Sequence, residues 1–214
     1  MDYSSYIDHT NLKNTATFED IEKLCNEAIK YHFASVCVHP FYVGVVKEYL
    51  KDSNVNVCTV VGFPLGMNTT AVKAYEAIDA VENGADEIDM VINIGALKNK
   101  DYDYIKKEIE EIRDSINGKT LKVIIETSLL TEEEIIKMTK ICNDTYVNFI
   151  KTSTGFNGKA EVKDVKLINE NKEEFLEIKA SGGIDSEAKL VDMIEAGATR
   201  IGTSHAVKII EGGN

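Results

Sequence analysis

Two stretches of the chain share one pattern. FIKTSTGF around Lys151 and EIKASGGI around Lys179 each run an apolar strand into a lysine at its last buried position, and then into a small, glycine-rich turn. An ammonium carried into a protein interior is costly to desolvate, so finding it twice calls for a chemical reason. An amine used as a nucleophile supplies one. An exposed lysine is neutral in fewer than about one molecule in a thousand at pH 7, so attack on a carbonyl needs a neighbour that disfavours its proton. Neighbouring strands lie about 4.8 Å apart, and two unit charges about 5 Å apart at an effective dielectric near 20 repel by roughly 3 kcal/mol. Lys151 and Lys179 on adjacent strands are therefore placed so that one keeps the other deprotonated, the two titrating as a pair.

The elements that must position these amines can be read from hydrophobic period. Short β-branched runs alternate eight times with longer 3.6-period segments, the rhythm of a parallel sheet with helical crossovers. The expected strands are Tyr6 to His9, Ser35 to His39, Val55 to Val61, Glu87 to Asn93, Leu121 to Glu126, Val147 to Lys151, Phe175 to Ala180 and Thr199 to Gly202. Eight strands in 214 residues, with only two prolines and no linker-like stretch, predict a single domain over 1–214: a (βα)8 barrel with a short N-terminal extension. An open doubly wound sheet is the competing architecture, because period alone does not show closure. Thr17 with Asp20, Thr131 ahead of Glu132 to Glu134, and Asp185 or Ser186 supply helix starts. GADEI at Gly84 and GATRI at Gly197 each put a glycine between a helix and a strand. His32 is expected at a helix end, and the acidic runs Glu108 to Glu111 and Glu132 to Glu134 as solvated helix faces.

A barrel strand points alternate residues inward. With Val123 and Ile125 facing the helices, Lys122, Ile124 and Glu126 face in; the same phase turns Asp89, Phe149, Lys151, Glu177 and Lys179 inward on neighbouring strands. One lysine near a strand end is ordinarily a snorkelling surface group. Charge repeated on four consecutive strands instead predicts an interior cluster of Lys122, Lys151 and Lys179 balanced by Asp8, Asp89 and Glu126. Asp89 is then a candidate for moving protons in carbinolamine and enamine steps, or a counter-charge to Lys122.

SGGI at Ser181 to Ile184 follows the seventh strand, and RIGTS at Arg200 to Ser204 follows the eighth. Loops in those places, opening onto helix N-termini, form a recurrent phosphate site in barrels of this class, and Gly155 brings a third turn to the same rim. The net charge of −12 argues against nucleic acid or an anionic membrane as partner. The start MDYSSYIDHT reads as neither signal nor transit peptide, and no run is apolar enough for a membrane span, so a soluble cytoplasmic protein is expected. Cys25, Cys37, Cys58 and Cys142 are too scattered for a zinc site and read as reduced thiols, with packing the role of Cys37 and Cys58. His9, His32, His39 and His205 show no metal-ligand spacing, and His205 is placed either at the phosphate rim or at a solvated helix start.

Taken together, IDHTNLK, SVCVHP, TVVGFPLG, GADEIDMVINIGALK, KVIIET, FIKTSTGF, IKASGGI and RIGTS resemble the deoxyribose-phosphate aldolases nearly end to end. The resemblance implies a class I aldolase on a (βα)8 barrel that reversibly cleaves 2-deoxy-D-ribose 5-phosphate to D-glyceraldehyde 3-phosphate and acetaldehyde in deoxyribonucleoside catabolism, with neither metal nor cofactor. It implies Lys151 as Schiff-base nucleophile, Lys179 as the lysine that perturbs it, Asp89 as proton-transfer residue and Lys122 as a further member of the proton network. Phosphate binding falls to Gly155, Gly182, Gly183 and Ser204, largely through backbone. Some family members carry a lysine after the TSTG turn where this chain has Phe156, RIGTS continues here as His205 and Ala206, and the segment EGGN lacks a tyrosine that some members fold over the site; a more open pocket is expected. A metal-free sugar-phosphate isomerase or epimerase with Asp89 as base, and a non-catalytic sugar-phosphate binding protein, are the alternative functions. The outer helices could support a homodimer.

Overall fold

The computed structural model describes residues 2–212. Eight parallel strands, β1 (Ile7–Asn11), β2 (Ser35–Val38), β3 (Asn56–Val61), β4 (Glu87–Val91), β5 (Thr120–Ile124), β6 (Phe149–Lys151), β7 (Glu177–Ser181) and β8 (Arg200–Thr203), close in sequence order into a barrel, with β1 paired to β8. Closure settles the choice against an open sheet. A single 3-10 turn, Ser4–Tyr6, precedes the first strand. The helices are α1 (Phe18–Tyr31), α2 (Val43–Leu50), α3 (Thr70–Glu82), α4 (Ile94–Lys98), α5 (Tyr102–Ser115), α6 (Glu132–Asp144), α7 (Val162–Asn171), α8 (Glu187–Glu195) and α9 (Ala206–Ile210). Among the described residues no helix is long and apolar enough to cross a membrane.

Helix boundaries follow from side chains that satisfy the free backbone groups at each end. Thr17 with Asp20 and Thr131 with Glu134 form reciprocal capping boxes, and Ser186 caps α8. The two glycine echoes fold alike: Ala85 N–H donates to Ala80 O at 2.9 Å after α3, and Ala198 N–H donates to Met193 O at 3.0 Å after α8. His32 caps α1 in the left-handed region. The strand boundaries shift by a few residues; Phe175, expected to open the seventh strand, instead stands half-exposed and stacks on Tyr146 outside the barrel.

The strand alternation separates two kinds of interior. Ile88, Met90, Val123, Ile150, Ile178 and Ile201 point outward into one continuous apolar layer beneath the helices. The inward residues are largely polar, with a small apolar cluster of Leu12, Cys37, Cys58 and Val60 and the ring of Phe149. The outer layer thus supplies the hydrophobic stabilisation and leaves the barrel axis free for chemistry.

Glu108 corrects the reading of Glu108 to Glu111 as a solvated face. On α5 the buried stripe runs Ile105, Glu108, Ile109, Ile112, so Glu108 occupies an apolar position of the helix. Its partner is Lys73 on α3: Lys73 Nζ lies 2.8 Å from Glu108 Oε1 and donates to Val91 O at 2.8 Å, while Glu108 Oε2 accepts Asn93 N–H at 3.2 Å. Both side chains are wholly buried. Burial pushes the Lys73 ammonium down and the Glu108 carboxyl up, each shift only partly offset by the other charge. Removing one partner leaves the other charge buried and alone, whereas removing both is tolerated far better. Lys73→Met is expected to lower unfolding stability by about 3–5 kcal/mol in urea denaturation, and Lys73→Met with Glu108→Gln to recover most of the loss; equal losses in the single and double variants would contradict the pairing.

Candidate active site

Strand register brings the four predicted side chains together. Asp89 is level with Lys122 across β4 and β5, and Lys151 is level with Lys179 across β6 and β7. Each points inward from its strand, and all are buried. Asp89 is the hub: its Oδ2 accepts from Lys151 Nζ at 2.7 Å and from Lys179 Nζ at 2.6 Å, and its Oδ1 accepts from Lys122 Nζ at 2.9 Å. Lys179 Nζ also lies 2.5 Å from Asp8 Oδ2, off the line of a hydrogen bond, and Lys122 Nζ lies 2.5 Å from Glu87 Oε2.

Glu126, expected among these counter-charges, is not one of them. Strand β5 ends at Ile124, and Glu126 takes a left-handed conformation (φ 55°, ψ 65°) that carries its carboxylate out of the barrel phase and into the loop after β6. Inward alternation holds only while the strand lasts. Glu87 and Arg200 complete the cluster in its place, Arg200 Nη1 reaching Asp8 Oδ1 at 2.8 Å and Glu87 Oε2 at 3.0 Å. Both are legible from the same alternation, Glu87 two residues before Asp89 and Arg200 level with Lys179. The Phe149 ring, also inward, lies 5.9 Å from Lys122 Nζ and 5.2 Å from the Arg200 guanidinium carbon, a cation–π arrangement in a dry interior.

The electrostatics follow from crowding opposite charges where water is excluded. Burial alone would raise the Asp89 carboxyl, but Lys122, Lys151 and Lys179 outweigh it and hold Asp89 well below the usual carboxylate range. Asp8 is likewise depressed, burial being overcome by Lys179, Lys122 and Arg200. Burial opposes the charge on Lys179, yet Asp8 and Asp89 raise it above an ordinary lysine; for Lys122 the same opposition is overcome by Asp89 first. Three lysines and an arginine face three carboxylates, so the cations outnumber the anions by one. Lys122 contacts Asp8, Glu87 and Asp89, and Lys179 contacts Asp8 and Asp89, but Lys151 contacts Asp89 alone.

Cys58 exceeds the packing role read for it. Its thiol lies 3.2 Å from Asp89 Oδ1 and 3.3 Å from Lys122 Nζ, and burial pushes it well up. Cys37 is level with it on β2, and the Cys58 hydrogen bond is the largest influence lowering the Cys37 thiol. Cys37, Cys58 and Asp89 offer ligand atoms within 4.8 Å of one another, as do Asp8, Cys58 and Glu87. The carboxylates of both sets are already met by lysine or arginine, which occupy the electrostatic place a cation would take.

Above this cluster lies a cavity of about 910 Å³ at the C-terminal end of the strands. Of the three interior lysines only Lys151 lines it. Gly155, Gly182, Gly183 and Ser204 share its wall, bringing together all four residues expected to hold an anion. The turns after β6 and β7 touch closely: a Cβ on Gly182 would sit 3.0 Å from Gly158 O and 3.2 Å from Gly155 Cα, and Gly182 itself has φ +94°. A side chain there would push the two turns apart. Phe156 is exposed at the mouth and packs edge-to-face on Phe63 at 5.4 Å between centroids. His205 stands at the rim just before α9, so both placements read for it apply. Residues 213 and 214, which close the EGGN segment, lie outside the described residues. Lys13 and Lys23 also line the cavity, with Asp20, Glu27 and Asp185 as counter-charges.

A family model described as DeoC/LacD family aldolase matches residues 4–208. The chain is 56% identical over 213 residues to a deoxyribose-phosphate aldolase of Finegoldia magna, covering 99% of this chain and 100% of that protein. It is 54% identical over 217 residues to one of Thermococcus gammatolerans, covering 99% of this chain and 96% of that protein. Among solved structures, the deoxyribose phosphate aldolase of Aeropyrum pernix, described as a tetramer, superposes with a TM-score of 0.91 at 32% identity, covering 97% of this chain and 89% of that one. With the barrel, the lysine cluster and the glycine-lined cavity all inside the matched span, the chain belongs to the DeoC/LacD family of aldolases.

Proposed function

We propose that the protein is a cytoplasmic class I aldolase that cleaves 2-deoxy-D-ribose 5-phosphate to D-glyceraldehyde 3-phosphate and acetaldehyde, with Lys151 as the Schiff-base nucleophile. The observation that carries this is the asymmetry among the interior amines: Lys151 alone opens onto the cavity and has a single carboxylate partner, whereas Lys122 and Lys179 are enclosed by two or more. The amine whose charge is least supported is the one at hand to react. The names of the relatives, at 50% identity or more over nearly the full chain, agree with this substrate.

Lys151 attacks C1 of the open-chain aldehyde, and loss of water from the carbinolamine gives the iminium. Removal of the C3 hydroxyl proton breaks the C2–C3 bond: its electron pair passes into the iminium to form an enamine, and glyceraldehyde 3-phosphate leaves. Protonation at C2 and hydrolysis release acetaldehyde and restore the amine. Asp89, ionised and hydrogen-bonded to both Lys151 and Lys179, is placed to accept a proton from one nitrogen and return it by way of the other. Lys122 holds the opposite oxygen of Asp89 and keeps the carboxylate fixed. In the cavity wall Gly155, Gly182, Gly183 and Ser204 hold the phosphate, largely through backbone. An isomerase using Asp89 as base gives no role to a cavity-facing lysine.

Self-association belongs to the same reading. Leu65, Met67 and Tyr75 are each more than half exposed, apolar side chains that a second copy could cover, and the Aeropyrum pernix relative is described as a tetramer. Light scattering should return the mass of a homodimer, and a monomer at micromolar concentration would count against it.

Borohydride reduction in the presence of acetaldehyde should place one ethyl group on Lys151, and Lys151→Met should lower kcat by roughly a thousandfold or more. Active protein that is reduced at another lysine, or turnover that survives Lys151→Met, would overturn the assignment.

A further inference from the structure

Glu126 has no part in the lysine cluster, yet it is among the most constrained residues near the cavity. It is buried, and its backbone sits in the left-handed region, which a residue carrying a side chain seldom adopts. The conformation turns the carboxylate onto a single target, the Thr154–Asn157 turn. Glu126 Oε1 accepts the Thr154 N–H at 3.1 Å, and Oε2 accepts both the Thr154 hydroxyl at 2.5 Å and the Asn157 side-chain N–H at 3.2 Å. Thr154 Oγ1 in turn accepts the Phe156 N–H at 3.1 Å. Gly155, with φ +86°, is therefore enclosed between two residues whose orientation one carboxylate sets.

An acidic group beside an anion site would ordinarily repel the anion. Here both carboxylate oxygens are occupied by donors of the turn, so the charge is spent on the protein. The geometry points to Glu126 as the positioning residue of the phosphate end: it holds the turn after β6 so that the backbone at Gly155 faces the phosphoryl group, and so sets the preference for phosphorylated over unphosphorylated sugars. With Phe156 where a cation could have stood, anion binding at this turn rests on backbone direction, and a turn left to move would lose freedom each time a ligand bound. Glu126 does not touch the reacting carbon in this account. The inference deepens the aldolase reading and rests on it for the choice of sugar.

Glu126→Gln keeps the shape but sets an N–H against the donors of the turn. The ratio of kcat/KM for 2-deoxyribose 5-phosphate to that for 2-deoxyribose should fall about tenfold, the effect expected from mispairing a buried polar group. An unchanged ratio in a variant that melts like the wild type would overturn the proposal. Should Glu126→Gln fold poorly, Asn157→Ala removes one donor alone and should move the ratio in the same direction by a smaller factor. Inorganic phosphate binding, measured by calorimetry on wild type and variant, requires no turnover: weaker binding in Glu126→Gln supports the positioning role, and equal binding overturns it whether or not either sugar is cleaved. Absence of cleavage by the wild type would instead count against the aldolase reading.

Discussion

One buried carboxylate shared by three amines inside the barrel is the interaction on which the rest of this structure depends. Asp89 bridges Lys122, Lys151 and Lys179, and removing Asp89 would leave the buried Lys151 without its carboxylate partner. The bridge fixes more than charge. It ties β4 to β5, β6 and β7, and with Asp8, Glu87 and Arg200 it reaches β1 and β8, so one network spans most of the circumference. An interior filled with branched apolar side chains would pack as well, but it would hold no amine in place and supply no proton acceptor.

This arrangement is possible because stability is drawn from another layer. The apolar side chains outside the strands form a continuous shell under the helices, and Lys73 with Glu108 anchors the end of β4 from behind. Asp89 lies two residues before the anchored Val91 carbonyl, so a buried pair outside the barrel steadies the strand that carries the hub. The glycine turns lie above the strand ends, where a close Gly155–Gly182 approach joins the turns after β6 and β7.

Much of this was legible in the sequence, and the reasons differ by residue. Strand alternation placed Lys122, Lys151, Lys179 and Asp89 inside because those positions lie within regular strand, where period two is enforced by the backbone. The same rule failed at Glu126 because the strand had already ended, and nothing in KVIIET signals that a glutamate will enter the left-handed region. Glu108 carries a charge within an acidic run, but its place on the Ile105, Ile109, Ile112 stripe marks it as buried, and there period outweighs charge. For Cys58 an apolar strand context gives no sign of the carboxylate that its thiol meets on the next strand. Lys13 and Lys23 escaped notice because exposed lysines acquire meaning only when a cavity forms beside them.

Asp89 is an ionised hub held by its three amines. Its side-chain carboxyl carbon can be followed by NMR from neutral pH downward, with Asp89→Asn used to assign the signal. Because the folded-state pKa lies below the ordinary value near 3.8, the carboxylate should stay ionised through that range for as long as the native fold persists, and the stabilisation it provides should be lost only as the pH falls further. A native-state Asp89 that takes up its proton near or above that ordinary value would contradict the account.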